Sequence, residues 1–264
     1  MTIRRSSTYK IFALVVRRFE DIFHSFYVSE IIKGASYSAS RLKIDLLIHI
    51  TDKTVHADWL NSPTLNLSCI DGILFADIDC DVKTLKKVID KKIPCLVMNN
   101  YLKDPINCIA IDNKNAAIDV VEYLIGLGHK RIATISGDLS TQAGKDRLEG
   151  YKVALAQNKI SLNTNYIRTG NFLRTQAHQA AQTLLSLRDR PTAIFAASDI
   201  MALEAITVAK NKKINVPNDL SVAGFDDNPI VTYSSISLTT VSQPIVEMGR
   251  RAVEDLHAVV SGKV

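Results

Sequence analysis

Short β-branched runs alternate with amphipathic stretches of helical length along almost the whole chain. Alternation of this kind builds βαβ units, in which parallel strands are covered by helices on both faces. Strands are expected at residues 10–16, 44–50, 72–76, 94–98, 107–111, 131–136, 165–168, 192–196 and 220–224. Helices are expected near 28–41, 81–91, 142–158, 174–187, 199–212 and 244–261, with one more opening at Asp112 and stopping before Gly128. In that last segment Ile118, Val121, Leu124 and Ile125 share one face, Asp112 is a good N-cap, and a glycine ends the helix in the left-handed conformation. The 264 residues fit one large α/β domain or two lobes, and two lobes are the expectation. Hydrophobic residues at 47% and charged residues at 22% exclude disordered, collagenous and coiled-coil chains. There is no internal repeat and no Pro/Gly/Ser-rich linker, as suits a bilobed chain that crosses between its lobes more than once.

The net charge of +5 is concentrated at the start, where residues 1–20 carry five basic residues against one acid. The body is left with +1, which argues against nucleic-acid binding by the body itself, because phosphate contacts need a concentrated basic face. The apolar part of the basic start is only IFALVV, too short for a signal peptide or a membrane span, so a cytoplasmic protein with no membrane partner is expected. Cys69, Cys80, Cys95 and Cys108 form no C-x-x-C pair and sit in or beside apolar runs, so they read as reduced, buried thiols.

The glycine-rich phosphate loops and the G-x-S-x-G elbow are missing, and no nucleophile and base stand at motif spacing, so an enzyme is not expected. The six histidines include no H-x-x-x-H pair, and neither metal nor cofactor is expected. Three polar or aromatic groups each admit two readings. Arg147 either pairs on the surface with Asp146 or Glu149, or offers a guanidinium fork to a ligand's oxygens. Asp226 and Asp227 follow a strand, and either form a turn or place one carboxylate at the crevice where open α/β sheets bind ligands. Phe19, Phe23, Phe26 and Tyr27, after the first strand, either pack in the core or stack on a ring.

Six collinear blocks carry a family resemblance: IAIDN (109–113), YLIGLGHKRIATISGD (123–138), DRLEGYKVAL (146–155), PTAIFAASDIMALEAI (191–206), INVPNDLSVAGFDD (214–227) and SLTTVSQPIVEMGRRAVEDL (237–256). In these, the chain resembles the effector-binding core of the LacI/GalR family of bacterial transcription regulators. The likeness extends more loosely through VSEIIKGA, IDGILFA and IPCLVMNN, and so covers roughly residues 9–262. It implies a periplasmic-binding-protein type I fold, α/β, with two doubly wound parallel-sheet lobes joined by three crossovers. Residues 8–108 with 240–264 would form the N-terminal lobe, and residues 109–239 the C-terminal lobe. The resemblance further implies a homodimeric repressor core whose interlobe cleft binds a small effector, a sugar or sugar derivative in most members and a purine in some. Operator DNA would be reached through a helix-turn-helix headpiece, and the short RRSSTYK before the first strand cannot supply one. A sugar transporter's solute-binding protein has the same fold and is the alternative; it should carry a secretion signal.

Position by position, the resemblance makes Arg147 and Asp226 contacts to effector hydroxyls. Ser198 stands where many members have the Asn of A-N-D, and Asn99 where many have the Asp of I-D-R. Phe172 falls where an aromatic or bulky residue lines the pocket, and Gln243 in the return crossover. Tyr27 aligns with a ring-stacking aromatic of N-P-F-F, a motif that here reads Ser25, Phe26, Tyr27 and Val28.

Overall fold

The computed structural model describes residues 10–17, 26–51, 67–76, 85, 88–100, 106–233 and 237–263. Nine strands lie among the described residues: β1 (Lys10–Arg17), β2 (Ile44–Thr51), β3 (Gly72–Ala76), β4 (Cys95–Met98), β5 (Asn107–Ile109), β6 (Ile132–Ser136), β7 (Ile167–Thr169), β8 (Ala193–Ala196) and β9 (Ser221–Ala223). Six helices are described over their full length: α1 (Phe26–Leu42), α2 (Asn113–Gly126), α3 (Gln142–Gln157), α4 (Arg174–Leu185), α5 (Asp199–Asn211) and α6 (Ile245–Val260). Every expected strand is found with its ends within two residues of the sequence reading. Of the helix expected near 81–91, Leu85 and residues 88–91 are described; Leu85 and 88–90 are helical and 91 is a turn. No described helix is long and apolar enough to cross a membrane.

The chain divides into two compact units, residues Met1–Ala110 with Pro244–Val264, and residues Ile111–Gln243. It passes between them twice, at 110/111 and 243/244, where the resemblance implies three passages; α6 is the last described element and stays with the first unit.

In the first unit all strands are parallel, in the order β2-β1-β3-β4-β5. One face of its sheet contributes Ala13, Val15, Ile73, Phe75, Cys95 and Val97 to a common core with Leu85 and Val88. Helix α1 buries Val28, Ile31, Gly34, Ala35, Ser38 and Ala39, a three-and-four spacing that lays one stripe against α6. The two backbones come so close that a β-carbon on Gly34 would lie 2.0 Å from the carbonyl oxygen of Val246. Of the three described cysteines, all expected to be buried, Cys95 is; Cys69 lies in an exposed 3-10 turn and Cys108 on the exposed edge strand β5, where chain position outweighs the apolar sequence around them. Cys80, Phe19 and Phe23 lie outside the described residues.

The second unit repeats the winding with four parallel strands, β7-β6-β8-β9. Its strands obey a period of two: Ala133, Ile135, Ile194 and Ala196 face one core, Ile132, Ala193 and Phe195 the other. Helices α4 and α5 cover the first face with Ala177, Leu184, Met201 and Ala205, and α2 and α3 the second with Val121, Leu124, Tyr151 and Leu155. The α2 signals act as expected: Asp112 accepts a hydrogen bond from the backbone N–H of Asn115 at 3.0 Å, and Gly128 ends the helix at φ +94°.

Candidate functional site

In doubly wound sheets ligands meet the carboxyl ends of the strands, where the strand order reverses. In the second unit that reversal lies between β6 and β8, and a polar cluster gathers there. Arg147 sits on the face of α3 that also carries Ala143, Gly150, Tyr151 and Ala154, so its helix phase points it into the protein, and it is only 4% exposed. Its Nε donates to Asn113 Oδ1 at 2.8 Å, and its Nη1 to the carbonyl of Ala197 at 2.6 Å and to Asp226 Oδ1 at 3.4 Å. The guanidinium lies over the Phe225 ring, 3.7 Å from its centroid, with the Phe172 ring at 5.8 Å. Arg147 thus forms an ion pair with Asp226, from the end of another strand, rather than a surface pair along its own helix.

Asp226 and Asp227 both adopt positive φ, +127° and +60°, so the turn reading of this pair is realised, in one strained loop. Asp226 Oδ1 accepts from Gln243 Nε2 at 2.6 Å as well as from Arg147. Burial, and secondarily the charge of Asp199, push the Asp226 carboxyl up to about 7, against the opposing pull of Arg147 and of the Gln243 and Arg147 hydrogen bonds. Gln243 is 9% exposed, and its Oε1 is buried without a partner among the described residues. Both side-chain hydrogen bonds that Asp226 accepts end on its Oδ1.

Phe172 holds a left-handed φ of +60° and lies against Gly137, the residue after β6. Ser198 caps α5, its hydroxyl accepting from the Met201 N–H at 3.4 Å, directly after the Ala197 carbonyl that Arg147 uses. The second unit therefore brings Arg147, Asp226, Gln243 and Phe172 together, with Ser198 adjoining. Asn99 and Tyr27 belong to the first unit. Asn99 follows β4 at φ +59°, buried, with its N–H on the Ile109 carbonyl at 2.7 Å; Tyr27 is half-buried in the first turn of α1.

Sequence reasoning missed Asn113, Phe225 and Asp199, all of which touch this cluster or its loop. Phe225 was legible as the residue before the carboxylate pair; Asn113, next to an N-cap, gave no separate signal. No described group of His, Cys, Asp and Glu is arranged to hold a metal ion. The arrangement is a fork of donors beside a carboxylate and an amide oxygen, on an aromatic floor, which suits recognition of a polar ligand.

Two parallel, doubly wound sheets of matching order with such a cluster at the strand ends define a ligand-binding protein of the periplasmic-binding-protein-like class. A family profile described as a periplasmic binding protein-like domain matches residues 121–264. The HTH-type transcriptional repressor CytR of Escherichia coli (strain K12) is 33% identical over 260 residues, 95% of this chain and 72% of that protein. Among solved structures, the transcriptional regulator CelR–cellobiose complex superposes with a TM-score of 0.89 at 26% identity, over 96% of this chain and 79% of that one. A regulatory protein of the LacI family from Chloroflexus aggregans superposes at 0.85 with 26% identity, over 95% and 91%. The chain belongs to the LacI family of transcriptional regulators, and its relatives are regulators rather than enzymes.

Proposed function

We propose that this chain is the effector-sensing core of a LacI-type transcriptional repressor, which binds a small hydroxyl-rich molecule, a sugar or sugar derivative, and does not transform it. One observation carries the reading: Gln243 Oε1, buried without a partner among the described residues, and the Asp226 carboxylate flank a guanidinium that the protein itself holds in place. Vicinal hydroxyls supply donors and accept from the arginine, and Phe172 provides an apolar surface for a sugar face. The cellobiose bound in the CelR complex supports the ligand class. The reading extends to Ser198 beside the cluster and to Asn99 and Tyr27 on the first unit, each open to test by its own substitution.

Effector acts by population shift, favouring one conformation only by as much free energy as it binds that conformation more tightly. The protein works in the cytoplasm as a homodimer, residues 8–108 with 240–264 forming one lobe and 109–239 the other, and reaches operator DNA through a helix-turn-helix headpiece of the kind its relatives' names record. A thermal-shift screen against monosaccharides, disaccharides, sugar phosphates, polyols and purines tests the effector. A ligand at 100 times its Kd adds about 2.7 kcal/mol, which raises Tm by several degrees. A shift confined to sugars or their derivatives, and lost in Asp226→Asn, is the expected result; a hit confined to purines, or a sugar shift that survives the substitution, overturns it.

A further inference from the structure

Asp199 is fully buried at the first position of α5, and none of its hydrogen bonds goes to Arg147 or Gln243. Its Oδ2 accepts the N–H of Asn228 at 2.7 Å, and its Oδ1 accepts the hydroxyl of Thr240. The same Thr240 oxygen in turn accepts the N–H of Asp227 at 3.4 Å. The Asp199 N–H donates to the Phe225 carbonyl at 2.8 Å. One carboxylate thus secures two consecutive amides of the left-handed turn, one directly and one through a hydroxyl, while its backbone secures the residue before the turn. The approach is possible only because residue 224 is glycine: a β-carbon there would lie 2.2 Å from Asp199 Oδ1. On its other side the turn is fixed by the segment carrying Gln243, with the N–H of Gly224 on Thr239 O at 2.8 Å and that of Asp226 on Val241 O at 2.9 Å. Thr240 belongs to this segment, so Asp199 joins the two pieces of chain that carry Asp226 and Gln243.

We propose that Asp199 is a positioning residue: with Thr240 as relay, its carboxylate holds the Asp226–Asp227 turn in the shape that directs the Asp226 carboxylate at Arg147 and Gln243. Left-handed φ at two successive aspartates is costly and persists only where the surroundings over-determine it. Asp199 supplies that determination, since two amides with no strand partner would otherwise be left to water. The role rests on the reading of Asp226 as an effector contact, but its test needs no effector.

The readout is the titration of Asp226 itself, followed by carboxyl 13C NMR in aspartate-labelled protein and assigned by the resonance missing in Asp226→Asn. The groups acting on it are Arg147 from α3, Asp199 from α5 and Gln243 from the return segment, with Asp227 next to it in the chain. Thr240→Val removes the relay hydroxyl and leaves every charge in place. We expect it to open the turn to water, which moves the Asp226 midpoint toward acid and speeds amide exchange at Asp227 and Asn228. Asp199→Asn should move the midpoint further in the same direction, because it removes a neighbouring negative charge as well. An Asp226 midpoint unchanged in Thr240→Val overturns the positioning role even where Asp199→Asn shifts it, because charge repulsion alone would then account for the effect. Should Asp199→Asn fail to fold, the Thr240→Val result decides. Shifted titrations in both variants, together with a parent protein that binds no sugar in the thermal-shift screen, would count against the proposed function and leave the positioning role standing.

Discussion

The two units share a winding and differ in what they bury. Among the described residues the buried charged side chains Arg147, Asp199 and Glu204 all lie in the second unit, whereas the buried polar groups of the first are Ser38, Asn99 and Asn100. The first unit is held by shape, through the close approach of α1 and α6; the second spends part of its core on an ionic cluster. Since a buried ion pair seldom stabilises a fold more than apolar packing would, its presence at the strand ends of one sheet points to a use other than stability.

The largest expected effect strikes the unit held by shape. Gly34→Ala forces a β-carbon onto the Val246 carbonyl, and a helix backbone cannot retreat without repacking. A loss of about 4 kcal/mol is expected, at the upper end for one substitution. Hydrogen exchange read by mass spectrometry should show α1 and α6 losing protection while α2 to α5 keep theirs; equal loss in both units would show that they melt together.

Next comes the mirror experiment, Arg147→Met. It strands the Asp226 carboxylate and the Asn113 and Ala197 acceptors, and should cost the second unit about 3 kcal/mol, the scale of a broken buried pair. Effector affinity should fall at least about tenfold, the loss of a charge-assisted contact. A variant as stable as the parent in urea would mean that the cluster is not what the second unit depends on.

Acidity acts on carboxyls and histidines with opposite sign, and burial lowers His129 of the second unit as it does the histidines of the first. The Asp226 carboxyl is raised above its ordinary value of 3.8, so its proton is held more tightly in the folded protein than in the unfolded chain. Its contribution is complete below about pH 4 and is lost as pH rises toward about 7. Burial also raises Asp146 and Asp199, in the same unit. In the first unit burial lowers His49 and His257, and their contribution is present above pH 6.5 and lost as pH falls below it. The stability advantage of the parent over Asp226→Asn should therefore shrink between pH 4 and 7, as thermal melts would show. An advantage constant across that range would disprove the raised carboxyl.

The smallest change should be favourable. Thr134 Oγ1, on β6, is buried without a partner among the described residues, so Thr134→Val removes a desolvated hydroxyl and keeps the shape. A gain of about 0.5 to 1 kcal/mol is expected in urea titration; a loss would mean that the hydroxyl is satisfied in solution.

Most of the fold was legible because strands buried on both faces announce themselves as unbroken apolar runs, as in GILFA and TAIFA. The site was legible in part. The phase of α3 already put Arg147 among Ala143, Tyr151 and Ala154, but a charged residue on an apolar face reads equally as a helix-edge ion pair until its partner is known. That partner, Asp226, lies 79 positions away, and pairing at such range is a property of topology rather than of spacing. Asp199 was hidden differently. An acid in the first turn of a helix is ordinary chemistry, and only the burial of α5 against the loop after β9 gives it a second task.

The interrupted first unit also sets an order of assembly. Residues 111–243 are contiguous, so the second unit has every element it needs as soon as that stretch has left the ribosome. Helix α1 must wait for α6, more than 200 residues later, before the stripe containing Gly34 is covered. Closing that distance is slow compared with local contacts, because the loop entropy is lost before the contact repays it. During synthesis the second unit is therefore complete while the first still shows an open apolar face, and that interval is when a growing chain is most exposed to chaperones and to its own neighbours.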